Sequence, residues 1–273
     1  RQLAGAPGFA LVAALTLALG IGATTAIFSV VHAVVLRPLP FPQPDRVVFV
    51  GEEWQGQPSA VSVGNFHDWR THAKSFSTLA AMQYVSFNLA EGNEPERVVG
   101  GRVTHTWFEA MGITPQRGRV FSAQEDTPGA PPVVVLSHRL WTRRFESDPR
   151  AVGREIRMNS LPYTVIGVMP PSFDLTSDSE ELWTPAAFTA EQLAEHDEHH
   201  HQVIGRLAPG VSLDQARAEL ATIYTQMQAL YPGEHQVNPA VAVPLHDQLV
   251  GDYRQRLVVL LGAVVRGLLI ACG

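Results

Sequence analysis

An α+β ectodomain held between two apolar segments is the fold class this sequence predicts, and three observations predict it. No Asp, Glu, Lys or Arg lies between Arg1 and Arg37, and residues 9–36 form a 28-residue apolar run. All 26 acidic residues fall in 38–256, with 17 of the 20 basic ones, a net charge of −9 for that block. Within the block, short runs rich in β-branched residues alternate with helix-period segments.

The apolar run comes first. As a helix it would reach roughly 42 Å, whereas a bilayer core needs about 30 Å or roughly 20 residues. A core helix would carry a polar stripe, and this run has none. A signal peptide would carry a much shorter apolar region, of about 7–15 residues. The reading is therefore an uncleaved transmembrane helix over 1–37. Pro38, Pro40, Pro42 and Pro44 follow at alternate positions. Each lacks an N–H and pushes the preceding residue toward extended geometry, so the helix stops near Leu36. Arg1 and Arg37 flank the run and do not choose an inside.

"RVVFVGEEW" (46–54) reads as a strand, and 62–82 as one or two helices capped by Ser62. "SFNLAEG" and "ERVVGGRVT" read as strands around a turn at Gly92-Asn93, and 105–112 as a short helix closed by Gly112. A new texture begins at Arg117. "PPVVVLS" is a strand, and "SHRLWTRRFESDP" a helix capped by Ser137 and stopped before Pro149. "GREIRMNSLPYTVIGVM" is a hairpin turning at Asn159-Ser160, and "ELWTPAAF" an extended piece. "HHHQVIGRLAPG" is a strand. Residues 212–232 are the clearest helix: Ser212 and Gln215 form a capping box, and Leu213, Ala216, Leu220, Ile223, Tyr224 and Met227 share one face. "NPAVAVPL" closes the block as a strand. From Leu257, 17 apolar residues run to Gly273 with Arg266 among them. They read as the start of a second, truncated membrane helix.

Composition excludes several functions. An acidic block with one lysine is a poor nucleic-acid binder, since phosphate contacts need a basic face. The one cysteine, Cys272, permits no intrachain disulfide. A phosphate loop needs G-x-x-x-x-G-K-[ST]. The lysine, Lys74, precedes Ser75, but Asp68 and Ala73 stand where the glycines belong. ATP hydrolysis must then come from another chain, and no catalytic residue is assigned.

Three polar clusters hold residue types that could form a site. Glu195, His196, His199, His200 and His201 include zinc-ligand types. Consecutive residues do not easily converge on one ion, so a solvated loop entering a strand is expected, with no metal or other cofactor. Asp174, Asp178, Glu180 and Glu181 read as a solvated turn rather than an acid–base pair. Arg139, Arg143 and Arg144 read as a surface helix face. In the apolar run, Ala14, Ala18, Gly22 and Ala26 recur every four residues, a small-residue face suited to close helix packing in lipid.

Taken together, "GFALVAALTLALGIGATTAIFSVVHAVVLRPLPF", "SVGNFHDWR", "WFEAMGITPQRGRVFSAQED", "VVVLSHRLWTRRFESDPRAVGREIRMNSLPYTVIGVMPPSF", "RLAPGVSLDQARAEL" and "LLGAVVRGLLIAC" resemble the MacB/FtsX type of ABC-transporter permease, with a MacB-like periplasmic core domain. Among these they are most similar to the duplicated orphan permeases of acidobacteria. The resemblance implies a periplasmic porter-like subdomain split between 38–116 and 200–256, with a second subdomain inserted at 117–199. It implies an inner-membrane location, a separate ATP-binding subunit, a periplasmic partner protein, and a homodimer or pseudo-dimer in the intact permease. Two departures stand out. The second helix is cut short at 257–273, and Arg266 sits where the family is apolar, at about 2.5–3.5 kcal/mol for a charge at a helix centre. The rival reading is a membrane-anchored periplasmic binding module without transport activity.

Overall fold

The computed structural model describes residues 39–90, 95–173, 180–230 and 239–251, with isolated positions in the flanking apolar segments. The chain divides into two compact units, Leu39–Leu245 and a second made of Arg1–Pro38 with His246–Gly273. In the second unit, Gly8, Leu11, Ala18, Ile21, Gly22, Thr25, Ala26 and Ser29 are helical and exposed. Ser29 donates its hydroxyl to the Thr25 carbonyl (2.8 Å). Among the described residues no helix is long and apolar enough to cross a membrane. Most of the expected spans at 9–36 and 257–273 lies outside the described residues.

Leu39–Leu245 is built on one eleven-stranded mixed sheet. Its strands are β1 (Val47–Trp54), β2 (Gln57–Ser59), β3 (Phe76–Leu89), β4 (Glu96–Val103), β5 (Arg117–Gly118), β6 (Val133–Leu136), β7 (Glu155–Met158), β8 (Leu161–Val168), β9 (Leu182–Pro185), β10 (Gln202–Leu207) and β11 (Ala240–Pro244). The order is β11-β1-β10-β3-β4-β9-β6-β8-β5, with β2 on β1 and β7 bridging β3 and β8. β4–β9 and β6–β8 are parallel; the other pairs are antiparallel.

Among the described residues five α-helices accompany it: α1 (Val63–His72), α2 (Trp107–Met111), α3 (His138–Phe145), α4 (Ala190–Leu193) and α5 (Leu213–Leu230). Their starts follow the capping chemistry in the sequence. The Ser62 hydroxyl accepts the Asn65 N–H (3.2 Å), and Ser137 accepts that of Leu140 (3.0 Å). Ser212 and Gln215 bond reciprocally (2.8 and 3.2 Å), the expected capping box. Gly112 ends α2 with φ +70°, a left-handed turn that glycine adopts without strain. Asn159 and Ser160 both have positive φ (50° and 69°), and Met158 pairs with Leu161, so this hairpin turns on two left-handed residues.

One expectation is corrected. Residues 76–82 are not helical; they open β3, a fourteen-residue strand. The cause lies far along the chain. The Glu219 carboxylate on α5 accepts the N–H groups of Lys74 (2.9 Å) and Ser75 (2.7 Å), drawing the chain out of α1. β10 then pairs with the extended stretch from Met82 back to Phe76. A short apolar run reads equally as helix or strand until its partners are known.

Among the described residues two cores lie along the sheet. The first gathers Val48, Val50, Phe66, Trp69, Leu79, Ala81, Val203, Leu207, Ala216, Leu220, Ile223, Met227 and Ala242. The second gathers Phe87, Leu89, Val98, Val134, Leu136, Leu140, Trp141, Phe145, Ile156, Val165 and Leu182. β3 supplies both, through side chains of one pleat face: Leu79 and Ala81 to the first, Phe87 and Leu89 to the second. On the other pleat face β3 meets α2, where Phe108 packs against Phe121, Phe173 and Trp183 with ring centroids 5.6–5.9 Å apart. Each large apolar side chain buried in this way contributes on the order of 1.5–3 kcal/mol.

Candidate functional site

Among the described residues the polar side chains concentrate at three junctions of the fold. The first receives the proline-rich lead-in segment. Phe41 is buried. The Arg46 Nε donates to the Leu207 carbonyl (3.1 Å), joined there by its Nη2, and Nη1 donates to Gln43 Oε1 (2.9 Å). Arg206, the neighbouring β10 residue, donates from Nε to the Ala110 carbonyl (2.8 Å) and from both terminal nitrogens to the Pro42 carbonyl (3.3 Å). Burial and the nearby Arg46 cation lower the Arg206 pKa below the usual guanidinium range, which leaves it charged. Two arginines thus tie the lead-in segment to β10 and α2. Neither was singled out from the sequence, because their partners are backbone carbonyls that no motif announces.

The second junction holds α3 to the sheet. Arg143 Nη2 donates to Glu96 Oε1 (2.6 Å) and Glu181 Oε2 (2.5 Å). Arg139 lies 3.3 Å from Glu181, and Arg144 3.4 Å from Glu96. The expected surface helix face carries an ion-pair network, with Arg143 exposed and the Glu181 side chain only 12% exposed. Of the expected solvated turn, Asp174 and Asp178 lie outside the described residues, and Glu180 and Glu181 are half-buried. Burial first, and then a hydrogen bond to Glu180, raises the Tyr84 hydroxyl pKa. Asp126 accepts the His105 backbone N–H (2.8 Å) and the Ala187 N–H (2.8 Å), and its Oδ2 lies 3.0 Å from His105 Nδ1.

The third junction is the return segment 195–201. The solvated loop expected there is a packed one. His196 and His201 are buried, 2% and 7% exposed, and His199 faces the buried carboxylate of Glu52. Glu52 was missed, although a signal existed: it continues the core-facing alternation Val48, Val50, Glu52. Burial pushes the His201 ring down to about 4. Among the described residues no three His, Cys, Asp or Glu side chains converge in a way that would hold a metal ion. Of the small-residue face, Ala14 lies outside the described residues. Ala18, Gly22 and Ala26 are helical and exposed, and a Cβ on Gly22 would meet nothing within 4 Å.

The domain that follows the apolar run is a mixed α+β one on a single sheet, and its lead-in is bent rather than extended: Gln43 is left-handed (φ 50°) and Pro44–Arg46 form a 3-10 turn. The MacB-like periplasmic core domain family matches residues 10–223, and the chain belongs to that family, of the MacB/FtsX permease type. The export ATP-binding/permease protein MacB of Pseudomonas entomophila (strain L48) is 35% identical over 85 residues, 30% of this chain. Those residues span 13% of that relative's length. Among solved structures, the periplasmic region of MacB from Actinobacillus actinomycetemcomitans superposes with TM-score 0.56 at 13% identity, covering 81% of this chain and 98% of that one. A permease domain from Porphyromonas gingivalis gives 0.56 at 18%, covering 75% and 92%. The extracellular domain of the noncanonic ABC-type transporter YknZ from Gram-positive bacteria gives 0.52 at 13%, covering 72% and 99%. At these identities the likeness is one of fold.

Proposed function

We propose that this chain is a non-catalytic permease subunit of an ABC transporter, or part of one, in the bacterial inner membrane. Its ectodomain lies in the periplasm and passes ATP-driven motion to a substrate or a periplasmic partner. In this reading ATP hydrolysis belongs to a separate ATP-binding subunit. Residues 38–116 and 200–256 form the split porter-like subdomain around the insertion at 117–199. The apolar run packs through Ala14, Ala18, Gly22 and Ala26 on a neighbouring membrane helix, in a dimer or pseudo-dimer.

The arginine clamp is the observation that carries this reading. Motion of a membrane helix reaches the ectodomain only if the intervening segment is held, and Arg46 and Arg206 hold it through three backbone carbonyls, of Pro42, Ala110 and Leu207, and the side-chain amide oxygen of Gln43. A tethered binding module has no use for such a hold, because a loose linker would serve it equally. The test uses the intact transporter reconstituted with its ATPase. Arg206→Ala should leave ATP hydrolysis in place and reduce substrate export per ATP. Unchanged export per ATP in a folded Arg206→Ala protein would refute the transmission role. Protease added to spheroplasts should digest 38–256, and full protection there would refute the periplasmic placement.

A further inference from the structure

Among the described residues the main path of the sheet ends at β5 and β11. A strand at an edge presents unpaired N–H and C=O groups, a template on which another strand can add. β5 is only two residues long and offers little to pair with. β11 has five, Ala240–Pro244, all apolar and uncharged. A strand of that kind at an edge invites self-association unless something blunts it.

The register fixes which backbone groups of β11 point outward. The Glu53 N–H donates to the Pro239 carbonyl (2.8 Å), and the ladder continues with Gly51 against Val241 and Phe49 against Val243. Hydrogen-bonded positions alternate along an antiparallel pair. Residues 239, 241 and 243 therefore face β1, and 240, 242 and 244 turn their backbone groups away from it. Pro244 has no N–H, so the outward row loses a donor there. The complete part of the row is the N–H and C=O of Ala240 and of Ala242.

Two copies of this row match each other. Laid antiparallel about a two-fold axis at Val241, Ala240 of one copy stands opposite Ala242 of the other, on both sides of the axis. Both are outward-facing positions, so each couple would exchange two backbone bonds. Each Ala242 carbonyl would have to accept the Ala240 N–H of the second copy.

That carbonyl already holds a donor. Arg217 on α5 donates to it from Nε (2.8 Å), and Arg217 Nη1 donates to Asp214 Oδ1 (3.2 Å). α5 lies against β11, and Ala216 and Ala242 are both buried in the first core, which brings residue 217 beside the strand. A bond from a guanidinium is charge-assisted and roughly twice as strong as the neutral bond a strand amide would offer. Asp214 is exposed, so its pairing adds little stability and serves to aim the guanidinium.

We infer that Arg217 is an edge guard: an autoinhibitory contact on the Ala242 carbonyl that keeps β11 from adding to β11 of a second copy. The guard goes beyond the transport reading and does not depend on it. A residue without a donor at 217 would open the whole row of Ala240 and Ala242.

The test is disulfide trapping of the full chain in detergent. Val241→Cys, with the native Cys272→Ser, places one thiol on the axis, at a non-hydrogen-bonded position where opposed Cα atoms lie about 4.5 Å apart, within disulfide reach. Arg217→Met removes the donor and keeps an unbranched stem on α5. Under mild oxidation the linked dimer should be about tenfold more abundant with Arg217→Met than with Arg217 in place, the effect of one charge-assisted bond. Equal trapping in the two proteins, at any level, would overturn the guard. Because Arg217→Met alters α5, a second readout uses the unmodified chain. Amide hydrogen exchange should be fast at Ala240 and Ala242 and slow at Val241 and Val243. Slow exchange at Ala240 and Ala242 would mean that the edge is already paired, and would overturn it.

Discussion

The two cores differ in how the chain supplies them. The first draws on residues 48–81, 203–227 and 242, segments separated by the whole of the second. The second is nearly continuous, from Phe87 to Leu182. Loop closure must precede any gain from contacts between distant segments, so the first core is the more costly to assemble. Yet the polar devices concentrate on it: the Arg46–Arg206 clamp and the histidine segment both bind its elements. The second core has its own α3 network, whose glutamates come from β4 and the lead into β9. The difference teaches that the discontinuous core is the one reinforced at each point where the chain enters or returns.

The largest expected effects come from the cores themselves. Leu220 and Leu140 are fully buried, one in each core. Leu→Ala at either should cost about 2–5 kcal/mol, read from denaturant unfolding of the ectodomain. If β3 and β4 make the cores one cooperative body, each substitution shifts the same single transition. A Leu140→Ala protein in which the first core keeps its original midpoint would break the comparison.

Acid should act mainly on the first core. His201 is held neutral, its pKa lowered by burial to about 4, whereas the unfolded chain titrates near 6.5. Between those values the unfolded state binds the extra proton, so stability is present above pH 6.5 and is lost as pH falls toward 4. The full loss is roughly 3 kcal/mol. His201→Gln should flatten that part of a stability–pH profile.

Smaller effects sharpen the match between the cores. Ser137→Ala at α3 and Ser212→Ala at α5 each remove one N-cap and should each cost about 1 kcal/mol, seen as a lower Tm. Arg150 pairs with Asp148 in full solvent, so Arg150→Ala should leave the Tm unchanged.

Much of the fold was legible because its signals are local. Asn159-Ser160 tolerates left-handed geometry, Ser212-x-x-Gln215 is a cap by its spacing, and Ala216, Leu220, Ile223 and Met227 mark their face by period. What could not be read depends on distant partners. Phe76–Met82 turns into a strand through Glu219 and β10, more than a hundred residues away. Arg139, Arg143 and Arg144 lie on the surface face their spacing predicts, but only the structure shows that Glu96 and Glu181 pair with them there. The histidines at 196 and 199 meet Asn65 and Glu52 from the far end of the ectodomain, so no window of sequence contains both halves of that junction.

Native-state hydrogen exchange of the ectodomain under rising denaturant tests most directly the central claim, that the clamped lead-in and both cores move as one body. Amides of Ala81 in the first core, Phe87 in the second and Arg46 at the lead-in should merge into one opening reaction with the free energy of global unfolding. Exchange of Phe87 through a separate, lower-energy opening while Ala81 stays protected would contradict it.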